Sequence, residues 1–153
     1  MNPHPESEAR MVDVTSKEIS TREATAAATV RMSDSTRSLV HERRLDKGDA
    51  LEVARVAGIL AAKKTSELVP LCHPIAIGSI EVSFSDASDG IEISATVRTN
   101  ERTGVEMEAM TAAAVAALTI YDMVKGTERG VVIDAVRLIR IAGGRSGEWT
   151  RPT

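Results

Sequence analysis

The clearest period in the chain is two. Between Ile91 and Arg98, the apolar residues Ile91, Ile93, Ala95 and Val97 alternate with polar ones, the signature of a strand with one buried face. An apolar-rich run from Ile75 to Phe84 precedes it, and Ser88-Asp89-Gly90 between the two is a turn signal, so they predict a hairpin. Val132 to Ile141 predicts a further strand, with Val132, Asp134, Val136, Leu138 and Arg140 on one face and Ile133, Ala135, Arg137, Ile139 and Ile141 on the other. Thr25 to Ser33, whose largest apolar residues are Val30 and Met32, is another strand candidate. Elsewhere the period lengthens to that of a helix. Ser35 to Arg43 predicts a short helix with Leu39 and Val40 inward and Arg37, Glu42 and Arg43 outward. After Lys47-Gly48, Asp49 stands as an N-cap with Glu52 at capping-box spacing. Val53, Val56, Ala57, Leu60 and Ala61 form the expected buried stripe of that helix, which Pro70 must end. Gly104 to Lys125 is dominated by alanine, the strongest helix former. Strand, helices, strand, strand, helix, strand is the α+β, ferredoxin-like (split βαβ) pattern: an antiparallel sheet with helices on one face and an extra helix in the first crossover. The other sheet face then needs cover, which favours association of copies.

Composition narrows the class. The 153 residues fit one domain at ~100–150 residues per domain, and 42% of them are hydrophobic. Only Trp149, Tyr121 and Phe84 are aromatic, so there is no stacking platform for single-stranded nucleic acid. Nineteen Lys and Arg against 22 Asp and Glu leave a charge of −3, which excludes an overall positive field for DNA or an anionic membrane. A single cysteine, Cys72, excludes an internal disulfide framework and fits a reducing compartment. Residues 1–10 contain two prolines and no apolar run, so they are expected to be a mobile tail and not a secretory signal. A single folded domain is then expected over 11–147. The glycine-rich, basic stretch from Gly143 to Thr153 reads as a loop or arm, with residues 148–153 a flexible end. The longest uncharged apolar stretch, Ala109 to Tyr121, falls short of the ~20 residues that span a bilayer, so the expectation is a soluble, cytoplasmic protein.

Three stretches could carry chemistry. In Val69-Pro70-Leu71-Cys72-His73-Pro74, two prolines fix the backbone around Cys72 and His73, which suits a ligand clamp and equally suits a structural loop in which His73 caps a backbone carbonyl. Cys72 reads as a small buried hydrophobe, since nothing near it demands a thiolate. Glu106 and Glu108 open the alanine helix, where the helix dipole favours carboxylates; two apart, they point to different sides and make a poor acid–base pair. Asp122 and Lys125 stand three apart near its other end, on one face, either a surface ion pair or a functional one. Glu108 and Asp122 share a face but lie ~20 Å apart along the axis, so no small substrate touches both within one chain. Lys47, Lys63, Lys64, Lys125 and Arg145 stand at element ends or in loops; converging, they would mark a site for a multiply charged anion, and scattered, a solvated surface. A metal hydrolase built on His73, Glu106 and Glu108 lacks any ligand pair at recognised metal spacing.

Met11-Val12-Asp13-Val14, Lys47-Gly48-Asp49, Ala61-Ala62-Lys63-Lys64-Thr65, Leu71-Cys72-His73-Pro74, Thr103-Gly104-Val105-Glu106-Met107-Glu108-Ala109, Leu118-Thr119-Ile120-Tyr121-Asp122-Met123 and Gly143-Gly144-Arg145-Ser146-Gly147 together resemble the cyclic pyranopterin monophosphate synthase family, molybdenum cofactor biosynthesis protein C. The resemblance runs from about Met11 to about Gly147. It implies a ferredoxin-like lyase that converts 3′,8-cyclo-7,8-dihydroguanosine triphosphate to cyclic pyranopterin monophosphate and diphosphate. It also implies a homohexamer, a trimer of dimers, with active sites at a subunit interface. By position, Asp122 falls on the family's active-site aspartate, Lys125 and Lys47 on its important lysines, and Leu71, Cys72, His73, Met107 and Glu108 on its substrate-contacting loops. Asp13 and Arg22 fall on further site positions, and Glu106, Lys63 and Lys64 are expected to help hold the substrate. Arg145 and Ile141 depart from the family, which typically carries lysine at the first position and in many members at the second; arginine keeps the charge with a different geometry, and isoleucine removes it. No cofactor is implied, and the need for a divalent cation stays open. The rival from another class is a nucleotide-sensing ferredoxin-like module without catalysis.

Overall fold

A computed structural model describes residues 7–145 and 147–153; the first part of the expected tail, residues 1–6, lies outside them. Nine elements follow in order: β1 (Ser20–Arg31), α1 (Asp34–His41), α2 (Ala50–Lys63), α3 (Thr65–Leu68), β2 (Ile77–Ala87), β3 (Gly90–Glu101), α4 (Glu106–Val124), β4 (Val132–Gly143) and β5 (Trp149–Thr150). The strands form one antiparallel sheet in the order β2-β3-β1-β4-β5. Its first four strands have the ferredoxin-like order, and α2 and α4 pack on one face.

The caps follow the sequence. Ser33 Oγ accepts the Thr36 N–H at 3.2 Å to start α1, and Asp49 Oδ1 accepts the Glu52 N–H at 3.3 Å to start α2. β1 is the central strand, and it starts at Ser20, well before the expected Thr25, because ladders on both sides satisfy a polar stretch whose side chains carry little strand signal. Its inward face is Ala24, Ala26, Ala28 and Val30, all fully buried. Such small residues let α4 sit close on the sheet through Ala109, Ala112, Ala113, Ala116 and Ile120.

Three expectations are corrected. The buried stripe of α2 is Ala50, Ala54, Gly58, Ala61 and Ala62; Val53, Val56 and Leu60 instead face outward, 44%, 49% and 51% exposed. The cause is the alanine surface of α4: a Cβ on Gly58 would lie 3.0 Å from Ala112 O, so the helices cross too closely for large side chains. In β4 two register breaks against β1, with Ala135 at φ 54°, interrupt the alternation. Ile133, Leu138 and Ile141 therefore face the core, while Asp134, Arg137 and Arg140 join the opposite face. Arg37, expected outward, is half-buried, with Nη1 donating to Gly90 O at 2.9 Å.

The chain end is not a loop throughout: Trp149 and Thr150 pair with Ile141 and Arg140. The helix α4, at 19 residues and mean hydropathy 1.3, is long and apolar enough by composition to cross a bilayer, longer than its uncharged stretch suggests. Nine of its residues, from Glu108 to Val124, are buried within this fold, so it is a core helix.

Candidate active site

The expected site residues fall at the two ends of α4. At its C-terminal end, one aspartate holds two lysines. Asp122 Oδ2 accepts from Lys47 Nζ at 2.9 Å and Oδ1 from Lys125 Nζ at 2.9 Å, so each carboxylate oxygen has its own ammonium. Lys125 comes from the helix end itself, whereas Lys47 comes from the turn before α2, where Leu45 bridges to Gly48. All three side chains are about half exposed. Hydrogen bonds from Lys125 and then Lys47 hold the Asp122 carboxyl below its ordinary range, and the Asp122 partner raises the Lys125 ammonium. Paired in this way, Lys125 is held as an ammonium that can donate a proton.

The other end is more enclosed. There α4 starts without a side-chain cap, and the loop after α3 lies across its first turn. A cleft of about 390 Å³ is lined there by Val12, Val14, Leu71, Cys72, His73, Glu106, Met107 and Glu108 among others. Glu108 is 3% exposed and its Oε1 has no hydrogen-bond partner, while the Cys72 thiol donates to Oε2 at 3.7 Å. Burial raises the Glu108 carboxyl, and burial with the Glu108 charge pushes the Cys72 thiol up to about 11, so Cys72 is no thiolate at neutral pH. His73 Nε2 donates to Val12 O at 2.6 Å, the carbonyl-capping role left open by the sequence, and it ties the N-terminal segment over the cleft. In that segment Asp13 Oδ1 accepts the Thr15 backbone N–H at 2.9 Å and its hydroxyl at 2.7 Å, which lowers the Asp13 carboxyl.

Neighbouring clefts extend this one in both directions. Lys17 is shared with a cleft of about 360 Å³ lined by Arg22, Arg145, Gly144, Ser16, Glu18 and Ser20. On the other side, His73 is shared with a cleft that includes Ile75, and Ile75 with the groove beside Lys63. Lys64 ends α2 as its C-cap and is exposed. The structure thus gathers Arg22, Leu71, Cys72, His73, Glu106, Met107, Glu108 and Lys63 along one crescent, while Asp13 stands between the lining residues Val12 and Val14 and lines no cleft itself. Lys47, Asp122 and Lys125 lie at the far end of α4, about 20 Å away at 1.5 Å per residue. Among the described residues no three of His, Cys, Asp and Glu converge as a metal-ligand set.

Residues 11–144 match the model of the MoaC family. The chain belongs to that family. Among relatives, it is 50% identical over 143 residues to a cyclic pyranopterin monophosphate synthase of Streptomyces coelicolor, covering 94% of this chain and 84% of the relative. It is 52% identical over 143 residues to cyclic pyranopterin monophosphate synthase 2 of Mycobacterium tuberculosis (94% and 86%). It is 54% identical over 146 residues to the synthase of Thermomicrobium roseum (94% and 88%). Within this MoaC fold, Lys17 is the site-lining cation that the sequence hides: it is a lone lysine in a polar segment without periodicity, and only the path of that segment past Arg22 brings it to the cleft. Lys63 and Lys64, adjacent in sequence, do not act as one patch, because Lys63 alone lines the isoleucine groove.

Proposed function

We propose that this chain is a cyclic pyranopterin monophosphate synthase, the lyase of molybdenum cofactor biosynthesis that converts 3′,8-cyclo-7,8-dihydroguanosine triphosphate to cyclic pyranopterin monophosphate and diphosphate. The observation that carries this reading is half-identity over 94% of the chain to relatives of that name. The two ends of α4 divide the work. The ring-opening and reclosing steps need proton transfers, and Lys125, kept protonated by Asp122, is the acid, with Lys47 held on the same carboxylate. In the phosphoryl step a ribose-derived hydroxyl attacks the α-phosphorus, its proton leaves to a base, and the bond to diphosphate breaks; cationic side chains receive the departing charge. Lys17, Arg22 and Arg145 are the cations offered for it; Lys63 lines the groove at the crescent's other end, and Lys64 lines neither cleft. Leu71, Cys72, His73, Met107, Glu106 and Glu108 form the wall for the bicyclic ring, and Asp13 orders the segment beside it.

No single copy spans both ends with one small substrate, so the working site joins the crescent of one copy to the Asp122 end of another. The outward Val53, Val56 and Leu60 of α2 supply apolar surface for such an assembly, a hexamer built as a trimer of dimers in the cytoplasm. Incubating the protein with the cyclised GTP derivative and following diphosphate release tests the reading. Release at enzymatic rates supports it; tight binding without release would establish the nucleotide-sensing alternative.

A further inference from the structure

The family match ends at residue 144, and the chain beyond it folds back. Trp149 and Thr150 pair with Ile141 and Arg140 of β4. Arg151 donates from its backbone N–H to Ile139 O at 2.8 Å and from Nε to Leu138 O at 2.7 Å, and its guanidinium lies 5.7 Å from the centroid of the Trp149 ring. Glu148 pairs with Arg140, which also reaches Glu23 of β1 at 2.9 Å. The segment after the glycine turn is thereby tied to β4 and, through Arg140, to the central strand.

Arg145 lies inside that turn. Gly143, Gly144 and Gly147 have φ of 87°, 72° and 68°, backbone that other residues rarely adopt and that by itself gives Arg145 no fixed direction. A free tail here would have to lose that freedom each time Arg145 met an anion. On one side of the turn the Arg22 guanidinium lies against Gly144, in the space a Cβ there would take. The other side is held by β5. Arg145 lines its cleft with Lys17 and Arg22, and the ion pairs among the described residues include none of these three. Arg22 uses Nε and Nη2 on Glu101 O and Arg102 O, at 3.0 and 3.3 Å, which orients it toward Gly144. Glu18 lines the same cleft and offsets part of the charge of the three cations, which leaves the cleft net positive toward an entering anion.

We propose that β5 is a strap that positions Arg145, pinning the chain on the far side of the glycine turn so that this guanidinium stays in the cleft with Lys17 and Arg22 to receive a polyphosphate. The inference rests on reading that cleft as the seat of the substrate's polyphosphate end. Arg145 touches the anion; Trp149 and Arg151 are positioning residues that act through it.

Trp149 is the only tryptophan, so its fluorescence reads the strap in the full-length protein. Titration with inorganic triphosphate is expected to change Trp149 anisotropy saturably, and Arg145→Ala to abolish the change. Arg151→Ala is expected to weaken inorganic triphosphate binding about tenfold by calorimetry and to raise KM for the cyclised GTP derivative equally, with kcat within about twofold and the melting temperature unmoved. In an Arg145→Ala background Arg151→Ala is expected to cost nothing further, whereas a purely structural strap gives additive losses. Glu148→Gln, which removes only the pairing with Arg140, should act in the same direction by two- to threefold, roughly, and keeps the test open if Arg151→Ala melts early. Unchanged triphosphate affinity in both variants, additive losses in the double variant, or no saturable triphosphate binding would each overturn the strap. Triphosphate binding is read without turnover, so a chain that shows the coupling but converts no substrate refutes the functional reading and leaves the strap standing.

Discussion

Asp122→Asn isolates what the far end of α4 contributes. Each oxygen of Asp122 holds one ammonium at 2.9 Å, Lys47 on Oδ2 and Lys125 on Oδ1. Asparagine keeps the shape but offers one oxygen and one NH2, so one lysine meets a donor instead of an acceptor and neither faces a negative charge. Asp122 raises Lys125, so its removal lets Lys125 lose its proton at lower pH. If Lys125 is the acid of the ring rearrangement, kcat falls by roughly 10²–10⁴-fold, the range for losing positioned proton transfer. The alkaline limb of the kcat profile should also move to lower pH. The group is exposed, so the melting temperature should not move. KM should change little if the crescent side chains hold the ring and the trio acts only on proton transfer. Diphosphate release measured across pH on both proteins is the assay. A variant within twofold of the wild-type kcat, or an alkaline limb that stays in place, would refute the assignment of this trio to proton transfer.

Two further outcomes follow from the packing. Because burial raises Glu108, its contribution to stability is fully present below its ordinary carboxyl range near pH 4.5 and is lost as pH rises through the raised value. Glu108→Gln should therefore match wild type in urea unfolding at pH 4 and exceed it at pH 8, by about 1.4 kcal/mol for each unit by which the carboxyl is raised; a gap independent of pH would contradict this. Gly58→Val should lose more than about 2 kcal/mol in the same assay, since its Cβ would sit 3.0 Å from Ala112 O and 3.3 Å from Val82 Cγ2 at the α2–α4 crossing.

What the sequence shows most clearly is what local chemistry decides. The Asp49 cap, the Ser88-Asp89-Gly90 turn and the alanine helix each carry their own signal, and each stands where it is expected. What is hidden depends on partners distant in sequence. Hydropathy selects Val53, Val56 and Leu60 as the inner face of α2, yet packing against an alanine surface selects Ala54, Gly58 and Ala61, because close approach and not side-chain size sets that contact. The alternation along β4 fails at bulges that only its register with β1 defines. In the site, residue types and spacing single out Asp122 with Lys125 and the prolines around Cys72 and His73. The third member, Lys47, reaches Asp122 across 75 positions, and the burial of Glu108 beneath the loop after α3 is likewise tertiary.

Joining two ends of one helix into a single site makes a quantitative claim about mixtures. A chain carrying His73→Ala lacks the crescent but keeps an intact Asp122 end; Lys125→Ala does the reverse. If each working site takes one end from each of two copies, neither variant alone contains a complete site. Mixed equally and allowed to exchange subunits, about a quarter of sites would combine two unaltered halves, by random pairing across a shared interface. Two inactive proteins should then regain about a quarter of wild-type turnover per site, rising with the extent of exchange. A site confined to one copy regains nothing under any mixing, since every chain carries a lesion. The comparison needs no structure of the assembly and does not depend on which lysine moves which proton, so an absence of recovery after complete exchange would count against sharing alone and leave the chemistry assigned to Asp122 and Lys125 to its own test.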